Sequence, residues 1–138
     1  MSLSVLLVED NVLNQELARD LLEASGHRVH IVENADGFRR YLREGGETDI
    51  ILMDVLLPGT DGVTLVRELR SSRFLPGVPV IAVTAQALTG DSERFLSSGF
   101  DAVITKPIDT RTFVSAVEQY AVSRTSKQSE HGANPDRR

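Results

Sequence analysis

Four short apolar segments stand out along the chain, and each is rich in β-branched residues. They are Val5–Val8, Ile50–Met53, Val78–Val83 and Ala102–Ile104. Because they are apolar at consecutive positions, they are typical of strands buried on both faces within a parallel sheet. A weaker fifth segment, Arg28–Val32, predicts a strand nearer an edge of that sheet.

Helical patterns lie between these segments. Leu13, Leu17 and Leu21 recur at every fourth residue, and Gly26 is placed to end the helix that they mark. Four further helices are predicted around Phe38–Leu42, Leu65–Leu69, Asp91–Ser98 and Phe113–Ala121. Strands that alternate with helices predict an α/β fold with a doubly wound parallel sheet, in which ligands bind beyond the carboxyl ends of the strands.

The composition excludes several classes of protein. With 138 residues, 41% of them apolar, the chain is long enough for one domain with its own core. It contains no cysteine, which excludes disulfides, thiolate metal sites and cysteine nucleophiles. No apolar segment approaches the roughly 18–20 residues of a membrane span, and Met1–Ser4 is too short and too polar to start a secretion signal. We therefore predict a cytoplasmic protein without a membrane partner.

The charge is negative overall and unevenly spread. The chain has 20 acidic and 15 basic side chains and a formal charge of −5, so it would repel a nucleic-acid backbone, and direct binding of nucleic acid is not expected. Residues 123–138 carry four basic and two acidic side chains and almost no apolar ones. We predict one folded domain over residues 1–122 and a polar, disordered tail over residues 123–138. A tail this short has no room for an output domain and slightly favours a free-standing protein.

Chemically active side chains follow the predicted strands at the edge where a parallel sheet binds ligands. Glu9 and Asp10 follow the first strand, Asp54 the third, Thr84 the fourth and Lys106 the fifth. Any one of them alone is a common strand-end or helix-capping residue, so the inference rests on their combination. Lys106 adds most to it, since the chain has only two lysines against thirteen arginines, and a compact ammonium suits a small anion better than a guanidinium does.

Three carboxylates at one edge raise one another's pKa unless a cation is present. An all-oxygen, carboxylate-rich site that water can reach favours Mg²⁺, which takes one or two carboxylates and leaves positions for phosphoryl oxygens. Beside such an ion Asp54 can attack phosphorus, because aspartyl phosphates are established products of carboxylate nucleophiles. The Lys106 ammonium, the Thr84 hydroxyl and nearby backbone N–H groups can neutralise the transferred group. The residues therefore predict Mg²⁺-dependent phosphoryl transfer to Asp54.

At these residues the sequence resembles the receiver domains of two-component response regulators, the CheY-like superfamily. The matching stretches are Val5–Asn11, Asp49–Gly59, Val80–Ala85 and Ile104–Ile108, and the similarity extends over roughly residues 4–122. The Glu-Asp-Asn opening is similar to receivers of hybrid kinases and to stand-alone DivK-like receivers. The resemblance implies a flavodoxin-like (βα)5 fold with a five-stranded parallel sheet in the order 2-1-3-4-5, and it identifies residues 1–122 as the receiver domain.

The resemblance implies a role for each carboxylate. Asp54 would accept a phosphoryl group from a phosphohistidine of a histidine kinase or a histidine phosphotransfer protein. Asp10, Asp54 and the backbone carbonyl of Leu56 would bind Mg²⁺ directly, while Glu9 would act mostly through water. The chain would then be a signalling phosphoacceptor that assists its own phosphorylation and dephosphorylation, rather than an enzyme with a separate substrate.

The resemblance also implies how the phosphoryl group is held and where this chain departs from the family. Thr84, the Ala85 amide and Lys106 would hold the phosphoryl oxygens, and the peptide between Lys106 and Pro107 would be cis. Three residues before this lysine, at the switch position, receivers usually have a Tyr or Phe that rotates with the threonine, whereas this chain has Val103. We expect phosphorylation to move the loop after Thr84 with little change at Val103, which a comparison of free and phosphoryl-analogue-bound structures tests.

Other chemistries fit the residues less well. A haloacid-dehalogenase-type phosphatase needs a second acid two residues after its nucleophile, where this chain has Leu56. A flavodoxin-type cofactor would meet repulsion from the acidic residues after the first strand. A histidine metal site is not expected either, because His27 and His30 fall on opposite faces of a strand, and His131 lies in the predicted tail. We interpret all three histidines as ordinary surface residues.

Two functions stay open within this family. The chain is either a response regulator whose phosphorylation changes its binding to a downstream protein, or a phosphorelay carrier such as the receiver of a hybrid histidine kinase. The regulator would use a phosphorylation-sensitive face formed by helix four, strand five and helix five. A carrier would pass its phosphoryl group rapidly to a histidine phosphotransfer domain, whereas a regulator would bind its target with an affinity that depends on phosphorylation.

Overall fold

The computed structural model of the protein describes residues 2–85 and 91–122. Its strands are β1 (Ser4–Val8), β2 (Arg28–Val32), β3 (Ile50–Asp54), β4 (Val80–Thr84) and β5 (Ala102–Thr105). Its helices are α1 (Val12–Ala24), α2 (Ala35–Glu44), α3 (Gly62–Ser71), α4 (Asp91–Ser98) and α5 (113–122). A two-residue antiparallel ladder, Leu56–Leu57 with Thr60–Asp61, connects β3 to α3.

All five strands are parallel and form one sheet in the order β2-β1-β3-β4-β5. This order confirms the predicted flavodoxin-like topology, and it places the weakly apolar Arg28–Val32 segment at an edge, as its pattern predicted. β1 pairs with β2 from Ser4 opposite Arg28 and with β3 from Val5 opposite Ile50. The carboxyl ends of all the strands therefore meet at one edge of the sheet.

A hydrophobic core lies on each face of the sheet. Successive side chains of a strand point to opposite faces, so Leu6 and Val8 pack under α2, α3 and α4, whereas Val5 and Leu7 pack under α1 and α5. The largest helix side chains of these two cores are Phe38, Leu65 and Phe95 on one face, and Leu22, Phe113 and Val117 on the other. Because helices cover both faces, the strands are apolar at consecutive positions.

Polar caps begin the helices that follow the first three strands. The side chains of Asn11, Asn34 and Asp61 each accept a hydrogen bond from the backbone N–H three residues later, at 3.0, 2.8 and 2.8 Å. Such caps satisfy N–H groups that have no partner within the helix. The Asn11 cap makes α1 begin directly after the acidic pair that follows β1.

The buried side of α1 differs from the predicted apolar stripe. Leu13, the first residue of that stripe, is 75% exposed. The residues that α1 buries are Gln15, Ala18 and Leu22. A repeat of four residues drifts around a helix that has 3.6 residues per turn, so the first member of the stripe comes to lie outside the contact with the sheet.

His27 is buried, which corrects the prediction that it lies on the surface. Because β1 and β2 pair from Ser4 and Arg28, the residues just before the two strands are neighbours. The Leu3 N–H donates to Nδ1 of His27 at 3.0 Å, and Nε2 lies 2.6 Å from Oε2 of Glu118 in α5. Since Nδ1 accepts a hydrogen bond, Nε2 carries the proton and donates a hydrogen bond to Oε2 of Glu118. The imidazole therefore joins the start of β1 to α5.

Replacement of His27 by leucine is expected to lower the free energy of unfolding by about 1–3 kcal/mol, because a backbone N–H and a carboxylate both lose their partner. Urea denaturation at neutral pH measures this change. His30→Leu is the matched control, since His30 is exposed, as predicted, and surface substitutions usually stay within about 0.5 kcal/mol. An unchanged unfolding free energy in His27→Leu would contradict the structural role.

The predicted tail, residues 123–138, lies outside the described residues, and so does His131 within it. Among the helices of residues 2–85 and 91–122, none combines the length and the apolar composition that crossing a bilayer requires. The disordered tail and the cytoplasmic location stay predictions.

Candidate functional site

The carboxyl ends of four neighbouring strands bring the predicted site residues to one edge of the sheet. Glu9 and Asp10 follow β1, Asp54 ends β3, Thr84 ends β4 and Lys106 follows β5. Carboxylate oxygens of Glu9, Asp10 and Asp54 lie within 4.8 Å of one another. Glu9 and Asp54 are buried whereas Asp10 is exposed, so this acidic cluster opens to solvent on the side of Asp10.

Lys106 lies between the two buried carboxylates. Its Nζ donates to Oε1 of Glu9 at 2.9 Å and to Oδ2 of Asp54 at 3.1 Å. The lysine side chain is only 17% exposed, so most of it is withdrawn from water. Its backbone N–H donates to the Thr84 carbonyl at 2.8 Å, which ties the end of β5 to the end of β4.

Two backbone N–H groups orient the buried carboxylates. The Asn11 N–H donates to Oε2 of Glu9 at 3.1 Å, and the Leu56 N–H donates to Oδ1 of Asp54 at 3.0 Å. Together with the Lys106 ammonium, they give each of these carboxylates a hydrogen bond to both of its oxygens. The carboxylates of Glu9 and Asp54 are therefore each held in one orientation within the cluster.

The environment of the cluster raises the pKa of both Glu9 and Lys106. Burial raises the pKa of the Glu9 carboxyl and outweighs the hydrogen bonds from Lys106 and the Asn11 amide, and the nearby charge of Asp54 raises it further. Burial by itself lowers the pKa of Lys106, but its hydrogen bonds to Glu9 and Asp54 raise it and prevail. Lys106 therefore stays protonated. Its ammonium does not fully offset the effect of burial on the pKa of Glu9.

The donor set fits a divalent cation such as Mg²⁺. Three carboxylates and one ammonium leave the cluster with a formal charge of −2, which one divalent ion would neutralise. All the ligand atoms are oxygens, and the exposed Asp10 leaves room for the water molecules that Mg²⁺ retains. Leu56, whose carbonyl is predicted as a further ligand, follows Asp54 by two residues, and its side chain is 56% exposed.

The first residue of α3 packs directly on the end of β3. The Gly62 N–H donates to the Val55 carbonyl at 2.7 Å. A Cβ at this position would lie 2.8 Å from the Asp54 carbonyl oxygen and 3.0 Å from Cα of Val55, closer than the neighbouring backbone can accommodate without moving. The absence of a side chain therefore lets α3 abut the segment that carries Asp54.

The remaining predicted site residues lie at this edge or within β5, where Val103 is opposite Ala82. Thr84 is buried and Ala85, the residue after it, is exposed. The peptide between Lys106 and Pro107 is cis. Val103 is half-buried on β5 and packs against the core beneath α2, α3 and α4. At the predicted switch position the chain therefore has a small side chain that packs against the core.

The sequence pattern does not single out two residues that support the site. Gly62 has no signal of its own, since its close approach to Asp54 depends on how α3 packs. Gln15 has a signal, because it is a polar residue in register with Ala18 and Leu22 on the buried side of α1. Its side-chain amide donates to the Glu9 carbonyl at 2.7 Å.

Comparisons with known proteins agree with the predicted resemblance. The family model of the response regulator receiver domain matches residues 5–118. The polar-differentiation response regulator DivK of Brucella ovis is 40% identical over 121 residues, which cover 87% of this chain and 97% of the relative. DivK of Brucella anthropi is 42% identical over 120 residues, with coverage of 87% and 97%. The predicted similarity to DivK-like receivers is confirmed.

Solved structures of receivers share the fold. The signal receiver domain of a signal transduction histidine kinase from Syntrophus aciditrophicus is 32% identical, with a TM-score of 0.78 over 88% of this chain and 91% of that one. The receiver domain of a sensor histidine kinase from Pseudomonas aeruginosa has a magnesium ion coordinated in its active site cleft. It is 33% identical, with a TM-score of 0.75 over 88% of this chain and 99% of that one. The predicted similarity to histidine kinase receivers is confirmed as well.

Proposed function

Because this chain belongs to the response regulator receiver domain family, we propose that it takes a phosphoryl group onto Asp54 in a Mg²⁺-dependent reaction. The donor is a phosphohistidine of a histidine kinase or of a histidine phosphotransfer protein, and residues 1–122 form the receiver that accepts it. The observation that carries the proposal is the convergence of Glu9, Asp10 and Asp54 beside the Lys106 ammonium.

Asp54 would act as the nucleophile. Its oxygens are held by the Leu56 N–H and the Lys106 ammonium, so the carboxylate is oriented before a donor arrives. The new bond joins an Asp54 oxygen to phosphorus, while the P–N bond of the donor breaks and its electron pair stays with the partner's imidazole. Lys106, already 3.1 Å from Oδ2, then counters the negative charge of the transferred group.

Asp10, Asp54 and the carbonyl of Leu56 would hold the Mg²⁺ ion directly. Bound there, the ion supplies positive charge to the phosphoryl oxygens. Glu9 would act mostly through water, with its carboxylate oriented by Lys106 and by the Asn11 N–H. The magnesium ion in the cleft of the Pseudomonas receiver also supports this assignment.

The phosphorylated carboxylate would be read by Thr84, the Ala85 amide and Lys106. Two of these are already linked, since the Lys106 N–H donates to the Thr84 carbonyl. Because Val103 replaces an aromatic ring, the conformational change caused by phosphorylation would be transmitted by the loop after Thr84. That part stays a prediction, because residues 86–90 lie outside the described range.

Large apolar side chains beside the site favour a protein as the donor. Val12 and Leu13 open α1 two and three residues after Asp10, and they are 56% and 75% exposed. Leu56, two residues after Asp54, is 56% exposed. Large apolar side chains exposed near a site are typical of surfaces that another protein covers. We therefore propose that the donor docks over the start of α1.

The response regulator is favoured over the phosphorelay carrier. The DivK relatives, 97% of whose length this chain spans, are named response regulators. Phosphorylation of Asp54 would accordingly switch the binding of a downstream protein. A purified histidine phosphotransfer domain that drains the phosphoryl group rapidly would instead support the carrier.

Incubation with acetyl phosphate and Mg²⁺ tests the proposal. Intact-mass measurement should show one added phosphoryl group, and peptide mapping should place it on Asp54. Chelation of the metal with EDTA should prevent the modification. Phosphorylation of another residue, or uptake that persists in EDTA, would overturn the proposed chemistry.

A further inference from the structure

One polar residue of α1, Gln15, is buried against the sheet. It is 9% exposed and lies on the same side of the helix as the buried Ala18 and Leu22. An amide at such a position is unfavourable unless it is hydrogen-bonded. Glutamine at a core-facing position therefore indicates a specific partner.

The partner of Gln15 is the backbone of Glu9. Nε2 donates to the Glu9 carbonyl oxygen at 2.7 Å in a buried hydrogen bond. The Glu9 N–H in turn donates to the carbonyl of Val32 in β2 at 3.0 Å. The backbone of Glu9 is thus held by β2 on one side and by α1 on the other, at the point where the chain leaves the sheet.

The carbonyl that Gln15 holds belongs to the peptide unit joining Glu9 to Asp10. Because a peptide unit is planar, a fixed carbonyl oxygen also fixes the direction in which Cα of Asp10 lies. The side chains of Glu9 and Asp10 start from the two ends of this plane, and their carboxylates are two of the three in the acidic cluster. A rotation of the plane would therefore displace both of them relative to Asp54.

We infer that Gln15 is a positioning residue of the metal site, which holds the Glu9–Asp10 peptide plane and so keeps two carboxylates in place to bind Mg²⁺. The inference rests on the proposed function, because it assumes that the acidic cluster binds this ion. The hydrogen bond of Gln15 goes to the backbone, so its effect reaches the ion through Glu9 and Asp10.

Gln15→Met tests the inference, because methionine keeps the length and the helix propensity but has no N–H donor. We expect the dissociation constant for Mg²⁺, measured by calorimetric titration of the unphosphorylated protein, to rise on the order of tenfold, as it does when partners behind metal ligands are lost. The Mg²⁺ concentration for half-maximal phosphorylation should rise in parallel, while the rate at saturating Mg²⁺ should change little. Leu22→Val is the matched control, because it perturbs the same buried side of α1 two turns away and should leave the dissociation constant unchanged.

Each outcome of this experiment bears on the inference. A Gln15→Met protein that binds Mg²⁺ as tightly as the unsubstituted protein would overturn it, and so would an equal loss in Leu22→Val, which would indicate a general loosening of α1. Gln15→Leu provides the same measurement if the methionine variant does not fold. Absence of Mg²⁺ binding by the unsubstituted protein would overturn the proposed function together with the inference, whereas normal binding in Gln15→Met would overturn the inference alone.

Discussion

Replacement of Asp54 by asparagine is expected to abolish phosphorylation. Asparagine has nearly the same size and can still accept the Leu56 N–H, but it lacks the anionic oxygen that attacks phosphorus. The variant should stay folded, because the substitution reduces the negative formal charge of the acidic cluster from −2 to −1 and so weakens the repulsion within it. After incubation with acetyl phosphate and Mg²⁺, its intact mass should be unchanged.

Asp49→Asn is the matched control for this experiment. Asp49 lies just before the other end of the same strand, where its Oδ2 accepts the Ser4 N–H at 2.7 Å. Its substitution removes one carboxylate of the same type without touching the cluster, so phosphorylation should proceed as in the unsubstituted protein. Normal uptake by Asp54→Asn would show that another residue is the acceptor.

Replacement of Lys106 by methionine is expected to separate phosphorylation from the response to it. The change leaves the carboxylates of Glu9 and Asp54 facing each other without their ammonium. The free energy of unfolding of the metal-free protein should fall by about 1–3 kcal/mol. This loss is smaller than that expected when one partner of a fully buried ion pair is removed, because Lys106 is partly exposed. Millimolar Mg²⁺ should restore part of this stability, because a divalent ion replaces the lost positive charge.

Urea denaturation with and without Mg²⁺ measures the stability change, and amide NMR measures the response. Asp54 should still be phosphorylated in part, whereas the shifts that phosphorylation causes around Thr84 should be lost. Arg111→Met is the control, because it removes a cation from the segment after β5 at a side chain that is 87% exposed. Wild-type shifts in Lys106→Met would show that the ammonium does not read the phosphoryl group.

The fold and the members of the cluster can be predicted because they depend on local patterns. Apolar segments such as Ile50–Met53 indicate buried parallel strands, and the first polar residue after each strand must lie at the shared edge. This pattern predicts that Glu9, Asp54 and Lys106 lie together, and in the structure the Lys106 ammonium is within hydrogen-bonding distance of both carboxylates.

What the sequence could not predict depends on how the elements pack. The sequence neighbours of His27 are typical of an exposed segment. Its burial follows from the pairing of β1 with β2 and from the approach of Glu118. The exposure of Leu13 follows from the rotation of α1 about its axis. Gly62 leaves space for the Asp54 carbonyl oxygen, which is eight residues earlier in the sequence but adjacent to it in the fold.

The contact between α3 and β3 limits how the site can be redesigned. Any side chain added at Gly62 would meet the Asp54 carbonyl at 2.8 Å, so a library that diversifies the connection from β3 together with the first residue of α3 would displace the backbone of Asp54 in most of its members. A library restricted to Leu56, whose side chain already faces solvent, would leave that backbone in place. Variants of the site that keep Asp54 in place should therefore be sought at Leu56, with Gly62 at the start of α3 left unchanged.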